Sequence, residues 1–125
     1  MRDFAIHLTH RPGELARVGD ALARKQVNIK SVAGLTLGNQ GLLRVIADDV
    51  EAARTALHDA HIPFEETELA TVLLENQAGE LANMASKLAN AGVNLHAIYV
   101  VGLDGDLVEL ALATDDAKKA KKVLE

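Results

Sequence analysis

Hydrophobic residues in the first half of the chain follow first the spacing of a strand and then that of a helix. Phe4, Ile6 and Leu8 alternate with polar neighbours, as in a strand with one buried face. Apolar residues three or four positions apart come next, and two extended runs follow, separated by glycines that favour a hairpin. The predicted elements are a strand at 3–9, a helix at about 12–25, strands at 27–37 and 42–48, a helix opened by Asp48-Asp49 and a strand that begins at Ile62-Pro63-Phe64.

The second half repeats this order of elements. Its sequence predicts a first strand containing Ala70, Val72 and Leu74, a helix at about 79–91, strands at 93–103 and 107–113, and a helix opened by Asp115-Asp116. The offset between the halves grows from 66 to 67 residues at the hairpin, so one residue is inserted there. No counterpart of the last strand of the first half precedes Glu125. We therefore expect the second repeat to lack that strand, which leaves a sheet edge for a partner to cover.

A stretch of twenty residues occurs twice and identifies the chain as a duplication. Residues 10–29 and 76–95 align without a gap, and eight of the twenty positions are identical. Each copy starts with a polar residue that we predict to cap the helix, His10 or Asn76, and a glycine follows three residues later. Glycine lets the backbone approach a ligand closely, and the free N–H groups at a helix start favour an anion. The repeated turn is therefore the first candidate binding site.

The amino-acid composition excludes several kinds of function for this chain. The 125 residues suffice for one domain or two small ones, and the repeat predicts two domains, at 1–66 and 67–125. A net charge of −5, with two Phe, one Tyr and no Trp, argues against nucleic acid as a partner. The chain has no cysteine, which excludes disulfides and thiolate chemistry. We find neither a signal peptide nor an apolar run of membrane-spanning length, and expect a cytoplasmic protein with no membrane partner.

Other groups of polar residues have simpler explanations than catalysis. Histidines stand three apart at His7 and His10 and again at His58 and His61, but no cysteine or carboxylate completes a metal site at ligand spacing. Paired aspartates stand where helices begin or flank a hairpin glycine, and the lysines near the C-terminus complement a helix dipole. Phosphate-binding loops and nucleophile elbows are absent from the sequence. We expect no enzyme activity, no cofactor and no metal.

Asn28 and Asn94 stand at the same place in the two copies, and two interpretations of them remain open. In the first, the side chain makes local hydrogen bonds where the helix connection ends. In the second, each asparagine faces a helix start across an interface and contacts the charged ends of an amino acid.

The two copies resemble the ACT domain, a small-molecule regulatory module of amino-acid metabolism. The resemblance rests on Pro12-Gly13-Glu14-Leu15-Ala16 with Val27-Asn28-Ile29, and on Ala78-Gly79-Glu80-Leu81-Ala82 with Val93-Asn94-Leu95; it covers essentially the whole chain. It implies an α+β fold of two ferredoxin-like βαββαβ repeats, with antiparallel sheets and the helices on one face. It also implies a ligand at the interface between ACT repeats, near the first strand–helix turn.

The resemblance further implies which residues contact the ligand. The serine-sensing ACT module of phosphoglycerate dehydrogenase has one asparagine before the turn and another in the Val-Asn-Ile segment. The second copy keeps both, whereas the first has a histidine before the turn. The expected contacts are His10, Pro12, Gly13, Glu14, Leu15 and Asn28 in the first copy, and Asn76, Gly79, Glu80, Leu81 and Asn94 in the second. The expected ligand is an amino acid or a similar small zwitterion, and the expected regulated partner is a metabolic enzyme or transporter.

A homodimer formed mainly through residues 93–113 is the expected assembly. Leu95 and Tyr99 alternate there with Ile98 and Val100, and helices on one side of a sheet cover only one of these sets. Two alternatives to ligand sensing stay open. One is a protein-interaction or oligomerisation module without a functional ligand pocket, and the other, which we favour least, is a metal-responsive histidine site.

Overall fold

The computed structural model of this chain describes residues 1–9 and 11–125, and the predicted ligand contact His10 lies outside the described residues. The described residues form seven strands and four helices in the predicted order. The elements are β1 (Arg2–Thr9), α1 (Glu14–Arg24), β2 (Ile29–Leu37), β3 (Gln40–Ala47), α2 (Val50–Asp59), β4 (Glu65–Glu68), β5 (Ala70–Glu75), α3 (Glu80–Asn90), β6 (Leu95–Asp104), β7 (Leu107–Thr114) and α4 (Ala117–Leu124).

Both repeated helices begin later than predicted, because a glycine stands at each N-terminal end. The N-cap residues are Gly13 and Gly79, each with a φ of 91°, and no described side chain caps either helix. The prediction that Asn76 caps the second helix is therefore wrong. Pro12 lies in the turn before α1 rather than in its first turn. The left-handed backbone of the glycine, which other residues adopt only at a cost, turns the chain from strand into helix.

The first of two compact units comprises Arg2–Thr67, and we call it the N-terminal unit. Its sheet has the strand order β2-β3-β1-β4, with β3 antiparallel to both neighbours. Helices α1 and α2 pack on one face of this sheet, where Phe4 and Leu57 are completely or almost completely buried. Asp49 caps α2 by accepting a hydrogen bond from the N–H of Ala52 at 3.1 Å, as predicted for the aspartates at helix starts.

The second compact unit, called here the C-terminal unit, comprises Glu68–Glu125 together with Met1. Its sheet has the strand order β5-β7-β6, with β7 antiparallel to both neighbours. Met84 of α3 and Ala120 of α4 are buried on one face of the sheet. Within the described residues no strand lies beside β5 on its outer side. The predicted fold class, two ferredoxin-like α+β repeats of which the second lacks its last strand, is confirmed.

The extra residue of the second repeat lies inside strand β6. The pairing of β6 with β7 shifts near the start of the strand, as it does in β2, and shifts again between Val100 and Gly102. A bulge moves the side chains that follow it to the other face of the sheet. Leu103 consequently pairs with Val108 and points to the helix side.

Because of these two bulges, four apolar residues of β6 point to the same side of the sheet. They pair with β7 residues on the face that the helices cover, yet they are exposed, since the helices cover the middle of the sheet and not this edge. The prediction that Leu95 lies on the opposite face from Ile98 is therefore wrong. We call the four residues the β6 row: Leu95, Ile98, Val100 and Leu103, with exposed fractions of 37%, 41%, 51% and 76%.

Candidate ligand-binding site

A cleft of about 380 Å³ lies in the N-terminal unit beside the start of α1. The end of β1, the first turn of α1 and the adjoining parts of β2 and β3 form its walls. We call it the N-terminal cleft. Its described lining residues are Leu8, Thr9, Arg11, Glu14, Leu15, Gly34, Leu35, Thr36, Gly41, Leu42 and Leu43.

A second cleft of about 340 Å³ occupies the equivalent place in the C-terminal unit, beside the start of α3. Leu74, Glu80 and Leu81 line it, and they stand 66 positions after Leu8, Glu14 and Leu15. The full lining of this C-terminal cleft is Leu74, Glu75, Asn76, Gln77, Glu80, Leu81, Ile98, Tyr99, Val100, Val108 and Leu110. The duplication has therefore produced the same concave feature twice.

The turn glycines shape both clefts but do not line them. Gly13 and Gly79 have left-handed backbone, and a Cβ atom added to either would meet nothing within 4 Å. Glycine is therefore required at these two positions for its backbone conformation, whereas the sequence suggested that it lets the backbone approach a ligand closely. Pro12 also does not line the cleft, although its neighbours Arg11 and Glu14 do.

Glu14 is the buried charged group of the N-terminal cleft. It is only 8% exposed, although it stands in the first turn of α1. Its two carboxylate oxygens accept hydrogen bonds from the Nε atoms of Arg17, at 3.0 Å, and Arg11, at 2.9 Å. The hydrogen bond from Arg17, aided by that from Arg11, lowers the pKa of the carboxyl below its ordinary value, although burial acts in the opposite direction. The carboxylate therefore stays charged and holds both arginines in place.

The corresponding residues of the C-terminal unit carry different charges. Glu80 stands where Glu14 does, but Gln77 and Asn83 replace the two arginines. Glu75 lines the same cleft as Glu80, so the described lining of the C-terminal cleft contains two carboxylates and no cation. The two clefts share a shape and differ in charge.

The asparagines lie at the other end of the repeated helix. Asn28 follows α1, a helix of eleven residues that is about 16 Å long at 1.5 Å per residue. Its backbone N–H donates to the carboxylate of Asp48 at 3.1 Å, and that of Asn94 donates to Asp115 at 3.0 Å. Neither asparagine is among the described lining residues of the clefts. Asn76, by contrast, lines the C-terminal cleft.

The histidines do not assemble a metal site in the part of the chain that the structure describes. His58 and His61 line a shallow cavity with Phe64, but no group of three or more histidines, cysteines and carboxylates is close enough there to hold a metal ion. Among the described residues, no helix has the length and apolar character needed to cross a membrane.

Comparisons with known proteins identify the fold of this chain. No protein-family model and no curated protein matches the chain, but solved structures do. Protein BT0572 from Bacteroides thetaiotaomicron is 24% identical, with a TM-score of 0.86, and the match covers 98% of this chain and 85% of that one. The ligand-free regulatory subunit of aspartate kinase from Thermus thermophilus, an ACT-domain protein, is 19% identical, with a TM-score of 0.66 over 98% and 88% of the two chains. The chain has the tandem ACT fold.

A third structure with this tandem ACT fold is part of a larger enzyme. Escherichia coli aspartokinase III, in complex with lysine and aspartate, is 19% identical, with a TM-score of 0.55 over 98% of this chain and 30% of that one. The ACT repeats thus occur both in regulatory subunits and within a whole kinase chain. Two of the similar structures, each covered to 88% of its length, are regulatory subunits of aspartate kinase.

Sequence reasoning missed several residues that build the N-terminal cleft of this ACT repeat. Arg11 and Arg17 were not singled out, although their spacing of three on either side of Glu14 is typical of helical ion pairs. Gly34 and Gly41 were read as strand and hairpin residues, yet both line the cleft. Their position depends on the pairing of β2 with β3, and only the paired sheet reveals it.

Proposed function

We propose that this tandem ACT chain is a regulatory protein that binds an amino acid or a similar small zwitterion, with the ligand in a cleft beside the first helix of a repeat. The observation that carries the proposal is the recurrence of a cleft at the same place in both units, about 380 and 340 Å³ in volume. Cavities of this size, mostly apolar with a few polar groups, are typical of small-molecule sites.

The similar structures support a role in regulation. One is a regulatory subunit of aspartate kinase, and another is an aspartokinase that binds lysine and aspartate. By this analogy the chain would act on a metabolic enzyme or transporter in the cytoplasm and would have no catalysis of its own. The prediction that a ligand sits at an interface between ACT repeats, with Asn28 and Asn94 among its contacts, stays a prediction.

A thermal-shift panel of the twenty amino acids and common divalent metal ions tests this function. A ligand that binds only the folded protein raises the melting temperature by mass action. We expect at least one amino acid to raise it in a concentration-dependent way and the metal ions to leave it unchanged. No shift with any amino acid at millimolar concentration would contradict the proposal, and a shift with a metal ion alone would favour the histidine site.

We also propose that the chain works as a homodimer, because the β6 row forms a continuous exposed apolar strip on an edge strand. Exposed apolar strips of this kind mark interfaces between proteins. The counterpart strand β2 also exposes apolar residues, but they are divided between its two faces: Ile29 and Val32 on the helix side, Leu35 and Leu37 on the other. The continuous strip is therefore a property of the C-terminal unit.

A further inference from the structure

The walls of the N-terminal cleft are largely leucine. Leu8, Leu15 and Leu43 line it with their side chains, and the described lining residues include no aromatic ring. Leu35 and Leu42 also border the cleft, but their side chains lie on the opposite face of the sheet. Leu15, in the first turn of α1, is 62% exposed. An aliphatic group placed between Leu15, Leu8 and Leu43 would remove apolar surface from water, which favours binding in proportion to the area covered.

One charged group of the cleft can receive a carboxylate. The Nε of Arg11 donates to Glu14, which leaves the two Nη groups of the guanidinium as donors. A guanidinium fork matches a carboxylate in shape and charge, and the start of α1 beside it adds the positive end of a helix dipole. The hydroxyl group of Thr36, which lies on the helix side of the sheet and lines the same cleft, can accept a hydrogen bond from an ammonium group.

The C-terminal cleft is also lined by aliphatic side chains, but it lacks the open floor and the arginine of the N-terminal cleft. Val100 and Val108 stand where the N-terminal cleft has Gly34 and Gly41, so side chains occupy the floor that two glycines leave open. Gln77 replaces Arg11, and two carboxylates line the cleft without a cation among its described residues. A ligand carboxylate would meet repulsion there.

We propose that the N-terminal cleft binds one short aliphatic amino acid of the leucine, isoleucine or valine type, with its carboxylate on Arg11 and its side chain among the leucines, and that the C-terminal cleft does not bind it. This inference rests on the proposed amino-acid-binding function and narrows it to a ligand class and to one site per chain.

Calorimetric titration of the full chain tests the ligand class and the number of sites. L-leucine, L-isoleucine and L-valine are compared with L-serine, L-lysine and L-aspartate. We expect one ligand per chain and affinity at least about tenfold higher for the aliphatic group. Tighter binding of a polar or charged amino acid, or two equal sites per chain, would overturn the inference and leave the proposed function standing. Absence of binding by every amino acid would overturn both.

Variants that exchange residues between the two clefts test the site itself. Arg11→Gln introduces the residue of the C-terminal cleft and should weaken the best aliphatic ligand at least tenfold, whereas Arg17→Asn, its matched control, should change affinity less than about threefold. Both variants remove one hydrogen bond to Glu14, but only Arg11 lines the cleft. Equal effects of the two substitutions would show that the arginines act only through Glu14, contrary to the proposal.

A second pair of variants tests the floor of the cleft. Gly34→Val should abolish binding, because its side chain would fill the space below the leucines. The new Cβ would lie 3.3 Å from Cδ1 of Leu43, the flexible end of a side chain, and we expect the variant to fold. Gly19→Ala, within α1 and outside the lining of the cleft, is the control and should leave the affinity unchanged. Unchanged binding in Gly34→Val would overturn the proposed position of the ligand, and Arg11→Gln decides the question if Gly34→Val does not fold.

Discussion

The carboxylate of Asp115 accepts two hydrogen bonds from Asn94, one from the backbone N–H at 3.0 Å and one from Nδ2 of the side chain at 3.2 Å. The pair joins the residue immediately before β6 to the residue immediately after β7. Asp48 accepts the backbone N–H of Asn28 in the same way in the first repeat. The first aspartate of each pair thus anchors a strand, while the second caps a helix.

This contact leads to a prediction for Asn94→Ala. Loss of the side-chain hydrogen bond to an exposed carboxylate should lower the free energy of unfolding by about 0.5–1.5 kcal/mol in urea denaturation. Asp115→Ala, which removes the same contact from the other side, is the control and should cost at least as much. Ligand titration of the two variants tests whether Asn94 also contacts a ligand. Affinity lost in Asn94→Ala but kept in Asp115→Ala would place Asn94 in a ligand site, as the sequence suggested.

A second prediction concerns the turn glycines. Gly13→Ala and Gly79→Ala should each destabilise the protein by about 1–2 kcal/mol, because alanine is strained at a φ of 91°. Gly19→Ala is the matched control inside α1, where φ is not left-handed and the added Cβ meets nothing within 4 Å. It should stabilise the helix by about 0.5–1 kcal/mol. Denaturation midpoints of the three variants that move in the same direction would contradict the prediction.

A third prediction concerns the dependence of stability on pH. Because Arg17 and Arg11 hold the pKa of Glu14 below the value of 4.5 that it has when unfolded, its charged form stabilises the fold above that pH. This contribution should disappear as the pH falls through the lowered pKa. The free energy of unfolding of the wild type, relative to Glu14→Gln, should therefore be constant near neutrality and decrease below about pH 4.5.

Arg17→Asn supplies the control for the pH experiment, since it removes the hydrogen bond that lowers the pKa of Glu14 most. In this background the difference between Glu14 and Glu14→Gln should change less over the same range. A pH profile that is the same in both backgrounds would show that Arg17 does not stabilise the charge of Glu14.

A fourth prediction concerns the β6 row. Sedimentation of the wild type at tens of micromolar should show a dimer, and Ile98→Asp should convert it to a monomer, since a charge in an apolar interface is costly to bury. Val32→Asp places the same charge at the equivalent position of β2, where the exposed apolar residues are divided between two faces. This control should stay dimeric. A monomeric wild type, or dissociation by Val32→Asp alone, would rule out the β6 interface.

Features that depend on neighbours in the chain could be predicted from the sequence. Alternation in β1, helical spacing after it and the hairpin glycines specified the order of elements, because these periods follow from the geometry of one strand or one helix. Aspartates at the starts of α2 and α4 could likewise be assigned as caps, since a cap contacts a backbone group only three residues away. The duplication extended each of these predictions to the second half.

Features that depend on pairing between strands could be seen only in the folded chain. The sequence located the inserted residue in the second hairpin, but the bulge between Val100 and Gly102, which brings Leu103 into the β6 row, appears only when β6 is paired with β7. Gly34 and Leu8 both line the N-terminal cleft because their strands, β2 and β1, pair with opposite sides of β3 and both residues lie on the same face of the sheet. Contacts of this kind join residues far apart in the chain, and their register is set by the packing of a whole face rather than by any local pattern.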